Sequence, residues 1–359
     1  MEIPRIRLKQ DEYDLIIEFR GIKDTANELD LDHKDVKHGW LKSKTASVFF
    51  KNPEFEMPEF DPDAIDWEAI CKDIQPSNLP KIITEKKNGI FDRLIITDAH
   101  IGMNPNPDGY SQYGGKWDEK ELNDRLETII ETVIVKKNSD TLIIDDLGDF
   151  ADGWDGETVR KGHHLPQNMD NQKAFDVALR FKLNLVSRLS QYYDKIIMNN
   201  ICEDNHSGAF GYVINSAFKV AIELLVKNVK VTNHRKFINH YKFKDNVFII
   251  CHGKDSKNLK FGFKPHIDKP QSEKIDNYID ANFLLQPKVR IEFSKGDSHQ
   301  LVFDHSSSDR FDYFNYMALS PSSNWIQTNY KKGVSGATLF NYNSTKDYDI
   351  KHIFFDWKS

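Results

Sequence analysis

The chain has 359 residues, 39% of them hydrophobic and 29% charged, and a formal net charge of −6. That length buries a sizeable core and leaves room for one large domain and a small one, while the acidic balance counts against a protein that grips nucleic acid over its whole surface. No apolar run reaches the length of a bilayer span, the stretch MEIPRIRLKQDEY lacks the apolar core of a signal peptide, and Cys71, Cys202 and Cys251 make no disulfide framework, so the expectation is a cytoplasmic protein with no membrane partner.

Residues 1–52 balance ten Lys and Arg against ten Asp and Glu. Within them IKDTANELDLDHKDVKHGWL reads as a short helix, a turn and a second helix closed by Trp40 and Leu41, preceded by a helix carrying Tyr13, Ile16, Ile17 and Phe19. This resembles a helix-turn-helix, whose second helix enters a DNA major groove and would present His33, Lys34, Lys37, His38, Lys42 and Lys44. A helical module that docks on a protein partner fits the same pattern equally well. Residues 53–80 hold eight acids, one lysine and five prolines, the composition of an extended linker.

From residue 81 to 359 the pattern changes to β-branched runs that end in polar residues. Arg93–Thr97 runs into Asp98-Ala-His100, Thr141–Ile144 into Gly148-Asp149, and Lys195–Met198 into Asp204-Asn205-His206. Val247–Ile250 runs into Cys251-His252, and Val289–Phe293 into Gly296-Asp297-Ser-His299. Helical periodicity over Glu119–Lys137, Asn171–Tyr192 and around Asn215–Lys227 separates the earlier runs. Strand, polar loop and helix in alternation predict an α/β fold with its loops gathered at one sheet edge.

Those loops offer carboxylates, imidazoles and one side-chain amide. Mixed oxygen and nitrogen donors suit Mn, Fe, Zn, Co or Mg, and no thiolate set favours a Cys-rich zinc site. Two divalent cations about 3.5–4 Å apart would stabilise the attacking and leaving oxygens of a phosphoryl transfer and acidify a shared water. A lone Asp at a strand end is ordinarily a turn former, and a lone buried His an ordinary core residue. Five such blocks in order favour a metal centre.

The order D-x-H, GD, NH, H and x-x-H resembles the calcineurin-like metallophosphoesterase superfamily over roughly residues 90–357. The resemblance implies two packed mixed β-sheets flanked by helices. It also implies a first metal held by Asp98, His100 and His299, a bridging carboxylate at Asp149, and a second metal held by Asn205 and His252. His206 would be the general acid that protonates the leaving oxygen after attack by a metal-bridged hydroxide. Two departures bear on the site. The family's G-N-H is usually followed by an acid, but Ser207 stands there, which assigns the task of orienting His206 to Glu203 or Asp204. The family's G-H-x-H is here Gly296-Asp297-Ser298-His299, so a carboxylate replaces an imidazole on the second metal, hardens the site and favours Mn over Zn.

Arg160, Lys161 and His164 form a glycine-containing basic loop after the bridging aspartate, suited to substrate phosphate, with a plain solvated loop as the alternative. Lys254 and the basic-aromatic run Lys257–Lys264 fit contact with a nucleic-acid strand or a surface hairpin. Ser320-Pro-Ser-Ser-Asn-Trp325 reads as a turn without chemistry. The expected function is phosphodiester hydrolysis in DNA, by resemblance to the nuclease subunit of double-strand-break repair complexes and to phosphoesterases of tailed bacteriophages. Its rivals are a phosphatase or cyclic-nucleotide phosphodiesterase, and a non-catalytic DNA-binding protein with a structural metal site. A homodimer is compatible with the sequence.

Overall fold

The computed structural model describes residues 88–107, 115–159, 164–253, 264–323 and 333–355, and the backbone of 38–42 and 47–51. The chain divides into two units, Met1–Asp63 and Ala64–Ser359. In the first unit, β1 (His38–Lys42) and β2 (Ser47–Lys51) pair antiparallel, with Trp40 opposite Phe49. His38, Trp40, Leu41 and Lys42 therefore stand on a hairpin, not on the expected second helix. β-branched and aromatic residues in SVFFK supply a partner strand, and pairing overrides the local helical spacing. The remainder of the expected helix-turn-helix lies outside the described residues, as does the 53–80 segment.

The larger unit is α/β. A six-stranded sheet runs in the order β13 (Tyr348–Phe354), β12 (Gly336–Tyr342), β3 (Phe91–Ile96), β4 (Thr141–Asp146), β5 (Lys195–Ile201), β6 (Val229–His234). β3 to β6 are parallel, and β12 and β13 close the other side antiparallel. A second, five-stranded sheet has the order β10 (Val302–Asp304), β11 (Asp312–Asn315), β9 (Arg290–Lys295), β8 (Asn246–Cys251), β7 (Ile238–Phe243), with β8, β9 and β11 parallel. Helices α1 (Glu119–Val135), α2 (Asn171–Leu189), α3 (Ala209–Leu225) and α4 (Lys269–Ala281) complete the described elements. The two mixed sheets flanked by helices are the architecture expected from the sequence.

Period-two alternation builds the layers. Leu94, Ile96, Leu142 and Ile144 face α1, α2 and α3, while Phe91, Ile95, Ile143 and Leu147 pack against Phe248, Ile250 and Phe314 of the second sheet. The outer face of β8 buries Val247 and Ile249 against Ile275 and Ile279 of α4. Asp118, Asp170 and Asp268 cap α1, α2 and α4 by accepting from backbone N–H groups of the first turn. α3 begins at Ala209, earlier than the expected Asn215. Gly211 breaks the apparent periodicity there, yet it fits a close approach to Ser207 in which any side chain would collide.

Between the sheets sits one ionic network. Arg93 is fully buried and donates to Asp145 at 2.7 Å, to Ser294 at 3.1 Å and to Glu292. Tyr241 donates to Asp145 at 2.7 Å and Tyr342 to Glu292 at 3.0 Å. The guanidinium also lies 4.1 Å from the Phe248 ring centroid. Charges buried this deeply persist only when paired and hydrogen-bonded, and these span both sheets.

Candidate metal centre

Parallel strands end on the same side, so the tips of β3, β4 and β5 share one edge, and those of β8 and β9 meet it from the second sheet. Backbone bonds lock the tips together: Asp98 N donates to Gly148 O at 3.0 Å, His100 N to Asp149 O at 2.9 Å, and Gly296 N to His252 O at 2.9 Å. The sheets are joined at the same edge, where Asp297 N donates to the Asp98 carboxylate at 3.0 Å. Asp98, His100, Asp149, Asp297 and His299 all adopt left-handed backbone, with φ of 53°, 44°, 48°, 68° and 51°. Such conformations cost about 1–3 kcal/mol each outside glycine and gather at functional sites.

Ligand atoms of Asp98, His100 and His299 lie within 4.8 Å of one another, as do those of Asp98, Asp149 and His252, and those of His100, Asp149 and His206. Asp98 illustrates the design. One of its oxygens accepts from Thr97 Oγ1 at 2.7 Å and from Asp297 N, while the other, Oδ1, is buried with no protein partner. Asn205 Oδ1, His252 Nε2, Asp297 Oδ2 and His299 Nδ1 are likewise buried and unpartnered. His252 Nε2 sits 2.9 Å from Asp149 Oδ2, but out of hydrogen-bonding alignment. Nε2 atoms of His100 and His299 face each other at 3.2 Å. Buried polar atoms without partners are costly. Overlapping groups of carboxylate oxygen and imidazole nitrogen fit divalent cations of the borderline-to-hard class. Of the expected ligands, Asp98, His100, Asp149, His252 and His299 are brought together in these groups, Asp297 lies 3.7 Å from His252, and Asn205 is buried beside His206 in the chain.

The charge balance carries the same message. Burial alone would raise the Asp98 carboxyl, but the nearby imidazoles of His100 and His299, 3.7 and 3.5 Å from Oδ1, hold it well below the usual range. Burial likewise opposes ionisation of Asp149, and the charges of His252 and His206 overcome it. Burial disfavours the His252 imidazolium, yet Asp149 lifts it to about 10. Carboxylates packed this closely demand positive charge. Protons on His100 and His252, both lifted by the surrounding acids against the effect of burial, and divalent cations would compete for the same lone pairs.

Asp152 is the functional residue that sequence reasoning missed. Its Oδ1 accepts from His100 Nδ1 at 2.8 Å and from His206 Nδ1 at 3.1 Å. Burial would raise its carboxyl, but the bonds to both imidazoles lower it. It orients His206 in place of Glu203 or Asp204. Glu203 is exposed, and Asp204 is turned to the backbone, accepting from Asp149 N at 3.1 Å, Ser207 N at 2.7 Å and Gly208 N at 2.9 Å. The spacing Asp149-Phe-Ala-Asp152 was the available signal. Ser320 also stands closer to the centre than a chemistry-free turn implies. Its N–H donates to Asp98 O at 3.1 Å, and its hydroxyl is buried without a partner.

Among the expected substrate contacts, His164 is exposed and pairs with Glu157 through an isolated backbone bridge; Arg160, Lys161 and Lys254 lie outside the described residues.

No family model and no curated protein matches this chain. Among solved structures it is similar to a zinc complex of Vps29 from Entamoeba histolytica, at 10% identity over 74% of this chain and 99% of that one, with a TM-score of 0.32. It is also similar to a predicted phosphoesterase of Streptococcus pneumoniae, at 8% identity over 74% of this chain and 93% of that one (TM-score 0.29). A 5′-nucleotidase of Candida albicans is similar at 9% identity over 78% of this chain and 53% of that one (TM-score 0.26). The chemical reading rests on the geometry of the centre.

His206 differs from the other imidazoles there. Its side chain is 21% exposed, against 0–8% for His100, His252 and His299, so it alone reaches outward from the cluster. Its Nε2 stays 3.8 Å from Asp149 Oδ2. No helix of the described residues is long and apolar enough to cross a membrane.

Proposed function

We propose that the chain is a dinuclear metal-dependent phosphoesterase that hydrolyses phosphodiester bonds, with DNA as its substrate class. The observation that carries the reading is the overlapping set of ligand atoms on Asp98, His100, Asp149, His252 and His299, grouped within 4.8 Å of one another and drawn from both sheets. Asp98, His100 and His299 would hold one cation, Asn205, His252 and Asp297 the other, and Asp149 would bridge them, with Mn favoured by the carboxylate at Asp297. When bound, the cations supply positive charge for the phosphoryl oxygens and acidify water for attack.

The chain's own residues do the rest. Asp152 is an acceptor only, so both Nδ1 atoms it touches carry their protons. For His100 this leaves the Nε2 lone pair aimed inward. For His206 it leaves Nε2 free to hold the proton that the leaving oxygen needs. Support for DNA comes from positive charge close to the ligands in sequence: Arg160 and Lys161 after β4, Arg235 and Lys236 between β6 and β7, and Lys254 after His252. The test is hydrolysis of bis-p-nitrophenyl phosphate with Mn, followed by single-stranded DNA, duplex DNA, cyclic nucleotides and phosphomonoesters. Turnover that persists after chelation, or in Asp149→Asn, refutes the metal-dependent reading; monoester-only turnover refutes the diester one.

A further inference from the structure

Directly after Asp152 the chain makes a tight hairpin. Trp154 N donates to Glu157 O at 3.1 Å and Glu157 N returns the bond at 3.0 Å, with Asp155 and Gly156 at φ of 50° and 68° between them. Two left-handed residues in succession form the turn whose twist matches paired strands. The turn is also tied from outside, since Asp155 N donates to Asn171 Oδ1 at 3.1 Å and Gly156 N to Gln167 Oε1 at 3.1 Å. A rigid support thus holds out a tryptophan that is 41% exposed. Its ring meets Phe210 edge to face, 4.9 Å apart at 71°, which leaves at least one indole face uncovered by that neighbour. Phe210 lies in the first turn of α3, just past His206, and Val159 N at the hairpin's far end donates to His206 O at 3.3 Å.

The same helical turn carries a second device. The Arg235 guanidinium lies 4.6 Å from the Tyr212 ring centroid. Its loop is fastened at both ends to ligand-bearing segments: Cys202 N donates to His234 O at 3.0 Å, and His252 N to Phe237 O at 3.1 Å. Among the described residues Arg235 forms no ion pair. A part-exposed aromatic ring and a braced planar cation therefore pack on the helical turn that follows His206, the group assigned to the leaving oxygen.

We propose that Trp154 is the stacking platform for the base of the leaving nucleoside, and that Arg235, braced on Tyr212, holds the phosphate beyond it. Stacking on an aromatic ring tolerates any base, and guanidinium recognises phosphate through paired donors. The proposal rests on the diesterase reading and names the part of the substrate that this rim selects.

Calorimetry on the full Mn-loaded chain tests it without turnover. Wild type should bind thymidine 5′-monophosphate about tenfold more tightly than 2-deoxyribose 5-phosphate, the scale of one base stack. Trp154→Ala should erase that preference and leave the deoxyribose phosphate affinity unchanged; Trp154→Phe should keep the preference and lose the fluorescence quench that the nucleotide causes in wild type. Arg235→Gln should remove the extra affinity of thymidine 3′,5′-bisphosphate over the monophosphate. Equal wild-type affinity for nucleotide and sugar phosphate, or a preference intact in Trp154→Ala, overturns the platform; a bisphosphate advantage intact in Arg235→Gln overturns the second contact. Nucleotide preference without diester hydrolysis sinks the hydrolase reading and spares the platform, and hydrolysis without base preference does the reverse.

Discussion

Asp149 is the most constrained residue of the centre. Its N–H is held by Asp204, one carboxylate oxygen accepts from His206 N at 3.1 Å, and the other faces His252. Replacing it with alanine should remove both cations and all turnover, read by metal content after dialysis alongside the diester assay; near-normal activity would contradict a bridging role. His206→Ala should leave metal content intact and slow hydrolysis by about 10²–10⁴. Loss of metal in that variant would mean that His206, which lies within ligand distance of His100 and Asp149, is a ligand and not the acid. The gathering of Asp98, His100, Asp149, His206, His252 and His299 was legible from motif order, because each residue follows a β-branched run that has to end at a sheet edge. The Asp152 contact to His206 was not. It joins residues 54 positions apart through one carboxylate oxygen, and the spacing from Asp149 marks Asp152 as close to the centre without showing which imidazole it reaches.

At the scale of elements, strands buried on both faces were the easiest to read. β3 and β4 are apolar runs interrupted by internally partnered residues such as Arg93 and Asp145, and β8 is apolar from Val247 to Cys251. β6 and β7 escaped notice because VKVTNH and INHYKF sit at sheet edges, where half-exposed polar residues blur the alternation. Arg93 is the tie between the sheets. Arg93→Met should leave Asp145 buried without a cationic partner and Glu292 with only Arg290, 3.6 Å away, and cost about 3–5 kcal/mol of unfolding free energy. Urea denaturation measures this, and a loss below about 1 kcal/mol would show that the network contributes no net stability. Glu292→Gln combined with Arg93→Met should recover part of that loss, since fewer unpaired charges remain.

For the whole molecule, the division into Met1–Asp63 and Ala64–Ser359 separates the hairpin-bearing unit from the metal centre. Deleting residues 1–52 should therefore preserve hydrolysis of a small diester while weakening DNA affinity and flattening its salt dependence. Filter binding across a salt series reads the effect. DNA binding that is unchanged would assign the N-terminal unit to a protein partner. The hairpin of β1 and β2 already removes His38 and Lys42 from any groove-reading helix. A strand has no i, i+4 face to lay into a major groove, so a DNA contact through these residues needs another geometry.

Local spacing determined the strand–loop–helix order and the ligand types, because burial of alternating β-branched residues leaves polar tips only at strand ends. It also determined that the ligands would be hard or borderline donors, since the chain offers imidazoles and carboxylates at those tips. Only the tertiary structure decided which acid serves which imidazole, and that Trp154 and Arg235 pack on Phe210 and Tyr212 of the helical turn after His206. Contacts across a sheet edge depend on register and crossover, which no short-range pattern encodes.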